Sequence, residues 1–373
     1  MNCSILNNTP FAAQAFPHTD AQGVHSLALV AKGTWELAAG ATNLPRLRPA
    51  ERQRPIHRAG LLRPLGSLAR DEFQAQVLQP RAQQPWPICE PEHVPPKPWF
   101  DLLLDACAVS PNGRPASSID VAVDYERQGR QHRLAALRAF SPRIWIKDFG
   151  QLKASELGPS LRIPLLRPFA FGGQTLDARG NSLVDEHNPD GMGFYGTAAQ
   201  AASAPLPWMQ ALDKPLRYWD DTVAEQALGL GLVPAHHQPR RALQGSFDDA
   251  WRQSRAPLLP LDHDPRHRNA APQSLQLAES PRPGDVLALH HMGTEPLMRF
   301  VWPRVALLAQ AETAGGTLLP PQELRWDTLA VDTEQADASL VWRALLPLAA
   351  QERIAVVHLW AHENAPAVPA APQ

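Results

Sequence analysis

The proline content limits what this chain can fold into. Of its 373 residues 39 are proline, spread along the whole length with local clusters at 85–91 and 95–98. Proline has a fixed φ and no backbone N–H, so it ends helices and is excluded from the central strands of a sheet. We therefore expect short strands with rigid connections and no long helices. The 11 tryptophans indicate ordered, packed loops rather than disorder.

Alternating apolar residues give the clearest regular signal, which is that of β-strands. Residues 25–37 alternate until Gly33, where the break fits a β-bulge. Residues 118–125 alternate without a break, and 126–130 form the loop of a hairpin that returns to Phe140. Strand patterns resume at 285–361. The sequence thus predicts a mainly β fold, with two β-rich, sandwich-like regions flanking an irregular Pro/Gly-rich centre with short helices.

These patterns divide the sequence into four stretches. Residues 1–165 form an N-terminal β-rich region, and 276–363 form a C-terminal one. Between them, 166–275 is an irregular central region with short helical pieces such as 221–230. Residues 364–373 are rich in alanine and proline and read as a flexible tail. We expect the regions to pack as one contiguous body.

Charge and composition exclude several classes of protein. The formal net charge is −2 and the 35 basic residues are scattered, whereas a nucleic-acid surface needs a basic stripe. No apolar run approaches the roughly 18 residues of a membrane span. The first residues show no basic segment followed by an apolar one, so we expect a cytoplasmic protein. The three cysteines are far apart and fit reduced thiols better than a disulfide or zinc framework.

The segment 245–272 is the most distinctive local sequence. Ser246 and Asp249 resemble a capping box, after which Trp251 is expected to face the core and Pro257 to end the helix. The loop that follows holds candidate metal ligands, namely Asp262, Asp264 and His267, with His263 between them. Arg266 and Arg268 are placed to pair with the two carboxylates. We interpret the loop as fixed by these ion pairs, and a metal site remains the alternative.

Other patterns that suggest chemistry are weaker. Adjacent histidines of an extended chain point to opposite faces, so neither His236-His237 nor His290-His291 can readily bind one ion, and no carboxylate lies close to the first pair. We expect them to be surface or internally bonded histidines. The glycines of 171–173 and 188–194 lack the spacing of a phosphate-binding loop. No nucleophile elbow is present. The sequence therefore predicts neither an enzyme nor a bound cofactor.

Taken in order along the chain, six stretches resemble the DUF2169 family. They are 30–37 (VAKGTWEL), 111–121 (PNGRPASSIDV), 171–173 (FGG), 187–194 (HNPDGMGF), 245–272, and 327–332 (DTLAVD) with 340–343 (LVWR). Genes of this family lie beside those for spike and effector proteins of bacterial type VI secretion systems. One departure is the segment 166–170, LRPFA, where the family usually carries a charged segment.

The resemblance implies an adaptor or chaperone. Such a protein binds a toxic effector in the cytoplasm and helps to load it onto a VgrG or PAAR-type spike protein. Binding of this kind needs a rigid body with aromatic anchors, because rigid loops lower the ordering cost and tryptophan is common at binding hot spots. Trp86, Trp99, Trp208 and Trp219 lie in loop-like sequence and are the candidate partner-binding residues.

Two other functions remain open from the sequence. A metal-dependent hydrolase would use Asp262, Asp264 and His267 to hold an ion whose bound water attacks the substrate. An immunity protein would instead block the active site of a toxin. The hydrolase requires the three side chains to lie close enough to bind one ion. The immunity role requires the chain to protect cells that express the toxin alone.

Overall fold

The computed structural model describes residues 3–37, 49–111, 113–220, 227–293, 295–348 and 353–363. Its strands are β1 (Ser4–Asn8), β2 (Ala12–Thr19), β3 (His25–Glu36), β4 (Leu61–Pro64), β5 (Pro85–Cys89), β6 (Phe100–Asp105), β7 (Cys107–Val109), β8 (Ser118–Arg127), β9 (Arg130–Phe140), β10 (Arg143–Asp148), β11 (Gln151–Glu156), β12 (Arg162–Pro164), β13 (Phe171–Gly172), β14 (Gln174–Leu176), β15 (Ser182–Val184), β16 (Met192–Gly193), β17 (Met209–Gln210), β18 (Gln276–Leu277), β19 (Val286–His290), β20 (Leu297–Val301), β21 (Val305–Thr313), β22 (Gln322–Asp332), β23 (Asp337–Pro347) and β24 (Ile354–Glu363).

The helices of the described residues are short, as the proline content predicts. The α-helices are α1 (Glu72–Leu78), α2 (Ala198–Ala201) and α3 (Asp249–Ser254). Single 3-10 turns occupy Leu65–Leu68, Gln79–Arg81, Arg167–Phe169, Arg240–Leu243, Pro265–Arg268 and Gln273–Leu275. Within the part of the chain that the structure describes, no helix has both the length and the apolar character needed to cross a membrane. The mainly β prediction is confirmed.

A nine-stranded sheet joins the two ends of the described chain. Seven strands follow the order β1-β24-β21-β22-β23-β3-β2, while β6 branches off by pairing in parallel with β22, and β18 pairs antiparallel with β6. Strand β1 pairs in parallel with β24, so the first and last strands of the described residues are neighbours in this sheet. A second sheet has the order β17-β9-β8-β19-β20 and contains the predicted hairpin of β8 and β9.

Both β-rich sequence regions contribute strands to both sheets. In the larger sheet β3 from the first region pairs with β23 from the last, and in the smaller sheet β8 pairs with β19. One hydrophobic core includes residues of both sheets, for example Leu29 and Leu340 from the larger and Val123 and Leu289 from the smaller. The regions 1–165 and 276–363 are therefore interleaved in space rather than stacked as separate sandwiches.

Strand β3 lies between β23 and the edge strand β2 of the larger sheet, and the bulge expected at Gly33 is absent. The register with β23 runs on without a break, with Gly33 opposite Leu340. A Cβ at this glycine would lie 2.7 Å from the Trp35 ring and 2.8 Å from the Phe11 ring. The missing side chain therefore makes room for an aromatic cluster of Phe11, Trp35 and Trp342, which is why the alternation breaks at this position.

The centre of the chain carries a small unit with a core of its own. The hairpin of β10 and β11 packs with α2, and the buried residues include Trp145, Leu152 and Leu206. A second hairpin, of β14 and β15, is held to α2 by the Gln200 side chain, which donates to the Leu176 carbonyl at 3.1 Å. Residues 221–226 of the predicted helix 221–230, Asn112 of the predicted Asn-Gly turn and the predicted tail 364–373 lie outside the described residues.

Candidate functional site

The start of segment 245–272 differs from the predicted capping box. Asp248 is the N-cap of α3, and its carboxylate accepts the Trp251 N–H at 2.8 Å. Ser246 instead donates its hydroxyl to Asp262 at 2.7 Å, and its backbone N–H donates to the other oxygen of the same carboxylate. The expectation for Ser246 was wrong because the helix begins at Asp249, so that Asp248 is its N-cap and Ser246 lies outside it, free to bind the Asp262 carboxylate. The helix ends at Ser254, before Pro257, as predicted.

Trp251 packs within the segment 245–272 and not in the main core. Its side chain is half-buried, and the indole N–H donates to the Leu258 carbonyl at 2.8 Å. Its ring packs against Phe247, with centroids 4.8 Å apart. The prediction that Trp251 faces the core is therefore wrong: a short helix with no buried residue has no apolar face to place against the sheet.

The three predicted metal ligands of the loop each have a different environment. Asp262 is bound by Ser246, and Asp264 pairs with Arg266 at 2.5 Å, which lowers the pKa of the Asp264 carboxyl. His267 Nε2 is buried without a hydrogen-bond partner among the described residues. Asp262, Asp264 and His267 form no ligand cluster in the described part of the chain. The predicted pairing of Arg266 is present, whereas Ser246 occupies the place expected for Arg268.

Two of the four tryptophans chosen as partner contacts lie in the core. Trp86 is 2% exposed on β5, and Trp208 is fully buried and stacks on Phe169 with centroids 4.5 Å apart. They are removed from the set of candidate anchors, because an indole without accessible surface cannot contact another protein. Trp99 and Trp219 are half-buried and remain predictions.

A cluster that local sequence reasoning missed brings together Asp190, His236 and His237. Both histidines direct Nε2 at the same carboxylate oxygen of Asp190, at 2.8 Å and 2.9 Å. Gln84 donates to the other carboxylate oxygen at 3.1 Å. The expectation that this histidine pair has no nearby carboxylate was wrong, since the carboxylate comes from a segment 46 residues away. The position of Asp190 in the 187–194 stretch was the available signal.

The loop that carries Asp190 is built by a buried asparagine. The Asn188 side-chain N–H groups donate to the carbonyls of Arg167 and Phe171, both at 2.9 Å. A Cβ at Gly191 would lie 2.4 Å from the Asn188 amide nitrogen, so only glycine fits the turn. The Asn-Pro-Asp-Gly sequence is thus explained by backbone geometry and by the placement of Asp190.

The protonation states of this cluster follow from its contacts. Hydrogen bonds from His237 and His236 hold the pKa of Asp190 at about 2, against the opposing effect of burial. Burial lowers the pKa of His237, so its ring is neutral at pH 7 and donates its Nε2 proton. Two imidazoles and a carboxylate are a donor set that zinc or iron(II) can take. Metal-bound histidines normally donate their second ring N–H, however, and His237 Nδ1 has no partner among the described residues. As it stands, the cluster is a hydrogen-bonded junction of three chain segments.

Apolar side chains protrude from both hairpins of the central unit. Phe149 lies at the tip between β10 and β11 and is fully exposed, and Ile146 on β10 is 40% exposed. On the hairpin of β14 and β15, Leu176, Leu183 and Val184 are all exposed. We call these five exposed residues on the two hairpins the hairpin surface.

Comparison with known proteins places the chain in a family. The family model described as "Uncharacterized protein conserved in bacteria (DUF2169)" matches residues 22–343. The chain therefore belongs to the DUF2169 family, and the six stretches quoted above all lie within the matched residues. No curated protein and no solved structure matches the chain.

Proposed function

We propose that this protein is an adaptor of a type VI secretion system, which binds a toxic effector and assists its loading onto a VgrG or PAAR-type spike protein. The family resemblance suggests the pathway, and the hairpin surface is the observation that supports protein binding. Large apolar side chains exposed together are characteristic of interaction sites. The proposal includes a cytoplasmic location and no catalytic step.

Among the residues of the hairpin surface, Phe149 most strongly indicates a binding site. Asp148 pairs with Gln151, so Phe149 and Gly150 form a two-residue loop, with φ values of 44° and 87°. Such a loop favours Asn-Gly, because both positions need the left-handed conformation, which a bulky residue adopts at a cost. Phe149 has an unfavourable backbone conformation and a fully exposed ring, so its side chain does not stabilise the fold. Its contribution is expected in a complex, where aromatic anchors supply much of the binding free energy.

The second hairpin extends the same surface. Thr175 lies opposite Leu183 and Gln174 opposite Val184. Both hairpins attach to the α2 segment, through Gln200 on one side and through the pairing of Ala202 with Trp145 on the other. Attachment to one segment restricts the movement of the two hairpins, which reduces the entropy lost on binding.

The experiment is co-purification of the chain with the effector and spike proteins encoded beside its gene. We expect a complex with the wild type, and at least tenfold weaker binding with Phe149→Asp, since loss of a hot-spot aromatic costs about 2 kcal/mol or more. The control is Leu318→Asp, an equally drastic change at an exposed leucine between β21 and β22, remote from the hairpins in sequence. Both variants should melt at the wild-type temperature.

Secretion assays complete the test. Deletion of the gene should abolish delivery of the effector, and Phe149→Asp should not restore it. Undiminished delivery after deletion, together with no complex, would contradict the adaptor role. Rescue of cells that express the toxin alone would instead support the immunity alternative.

A further inference from the structure

A cavity of about 370 Å³ lies on one face of the larger sheet, and its size is within the range of small-ligand sites. Strands β3, β6, β22 and β23 form one wall, with Lys32, Leu104 and Val341 among the lining residues. Strand β5 and the segment that includes Arg268 form the facing wall, where Trp86 lines the cavity. We call this cavity the Arg268 pocket.

The charged lining of the Arg268 pocket is unbalanced. Seven lysine and arginine side chains line it, against four aspartate and glutamate side chains. Six of the seven cations have a carboxylate within 4.0 Å, such as Lys32 with Glu92 at 2.8 Å and Arg240 with Glu90 at 2.6 Å. These six are neutralised by the fold itself.

Arg268 differs from the other six. Among the described residues, no carboxylate is paired with its guanidinium, although the side chain is half-buried. Burial lowers the pKa of Arg268, and burial followed by the Arg268 charge lowers the pKa of the neighbouring His18. A partly desolvated cation without a counter-ion is unfavourable. An anion that enters the pocket would remove this cost.

The remaining lining is suited to an apolar body. Ile88, Val94 and Leu103 are half-buried and border the cavity, so their side chains keep apolar surface that a ligand can contact. Apolar walls with a few placed polar groups are the usual composition of a ligand site, in which the walls supply affinity and the charge supplies orientation. Leu61 also lines the pocket and is 38% exposed.

We propose that the Arg268 pocket binds an apolar organic anion, with Arg268 paired to its carboxylate and the apolar tail against the half-buried side chains of Ile88, Val94 and Leu103. The carboxylate can belong to a free acid or to the C-terminus of a peptide, since both present the same group. This inference does not rest on the adaptor role, because the hairpin surface and the pocket share no residue.

The first test uses two fluorescent probes that differ in charge alone. Anilinonaphthalene sulfonate is anionic, and phenylnaphthylamine is the same aromatic framework without the sulfonate. The native protein should bind one equivalent of the anionic probe at saturation, at least tenfold more tightly than the neutral one, as expected for a charge-assisted contact. Near-ultraviolet circular dichroism confirms that the protein stays folded under these conditions.

Variants assign the binding to Arg268. Arg268→Gln should weaken binding of the anionic probe about tenfold and leave the neutral probe within about twofold. The matched control is Arg266→Gln, an exposed arginine two residues away that is absent from the pocket lining. If Arg268→Gln fails to fold, Leu61→Glu provides the test, because a carboxylate beside the pocket should repel the anionic probe selectively.

Competition identifies the source of the anion. Decanoate or a short peptide ending in leucine with a free carboxylate should displace the probe, whereas decanol and the peptide amide should not. Displacement by one acid alone supports the proposal and names its source. Displacement by neither acid, equal displacement by the neutral analogues, or equal probe binding by wild type and Arg268→Gln would overturn it.

Discussion

At the residue scale, the buried His237 links stability to pH. Burial lowers its pKa in the folded state, so the unfolded chain takes up the proton first as the pH falls. The stabilisation is therefore complete above the ordinary histidine pKa of about 6.5 and is lost as the pH falls below it. Burial acts in the same direction on His18, His57, His93 and His267.

We predict that the free energy of unfolding decreases between pH 7 and pH 5, and decreases less in His237→Gln, where no imidazole needs to stay neutral. Glutamine can keep an N–H donor for Asp190. Urea titrations at several pH values measure the slope. The control is His236→Gln, which removes an exposed histidine from the same carboxylate. An unchanged slope in His237→Gln would show that the buried ring does not carry the effect.

Asp190 makes the stability depend on pH in a second, lower pH range. Its pKa is held at about 2 in the folded protein, below the ordinary value of 3.8, so its contribution is present above about pH 4 and lost as the pH falls toward 2. Asp190→Asn should remove this part of the acid sensitivity, and a pH-dependent melting curve measures it. Retention of the wild-type acid transition below pH 4 would argue against the assignment.

The contact of Asp190 with the two histidines is not visible in the local sequence. His236 lies 46 residues from Asp190 along the chain, and no acidic residue is close to either histidine in sequence. The carboxylate that binds both rings comes from a turn whose position depends on Asn188 and Gly191. Contacts between distant segments are decided by packing, and no local pattern of His236 and His237 encodes them.

At the scale of single elements, strand β3 gives a sharp test of packing. Gly33→Ala would place a Cβ against the rings of Trp35 and Phe11 at less than 3.0 Å, in a strand that is buried from Ser26 to Trp35. We expect a loss of about 1–3 kcal/mol in the free energy of unfolding, as is typical for overpacked cores. Thermal and urea unfolding measure it.

The matched control is Gly315→Ala. A Cβ at Gly315 would meet only the Thr313 hydroxyl at 3.8 Å, an ordinary contact, so stability should change by about 0.5 kcal/mol or less. If the two variants were equally stable, the aromatic cluster around Gly33 would have to be loosely packed, contrary to its geometry.

Strand prediction succeeded where the pattern is local. The alternation in 118–125 and the loop at 126–130 predicted β8 and β9, which pair as expected through the turn at Gln128 and Gly129. Capping at Ser246 was predicted less well, because Asp248 is also a good N-cap residue and Asp262 competes for the serine hydroxyl. Helix ends depend on such competition, which a sequence window does not contain.

At the scale of the whole molecule, the interleaving of the two β-rich regions predicts one cooperative unit. Fragments 1–165 and 276–363, expressed separately, should each fail to fold, because β3 would lose β23 and β8 would lose β19. Co-expression should restore soluble protein only if residues 166–275 are supplied. Circular dichroism and limited proteolysis detect folding, and a stable isolated fragment would refute the interleaved arrangement.

The chain of 373 residues should also unfold in a single transition. Tryptophan fluorescence and far-ultraviolet circular dichroism are expected to give coincident urea curves, because one core contains residues from both sheets. Separate transitions would indicate that the small core around Trp145 opens independently of the main one.

The amino-acid sequence was sufficient for the kind of structure and for the family. Alternating apolar residues indicate β-strands, proline content argues against long helices, and six ordered stretches identify DUF2169, because these are properties of neighbouring residues along the chain. Several strands are longer than expected, and β3 has 12 residues. Folding alone decided which strands pair, which tryptophans are buried and which histidines contact Asp190. It also decided that Arg268 pairs with no carboxylate among the described residues. Each of those outcomes depends on the free energy of bringing distant segments together, and that quantity belongs to the packed molecule.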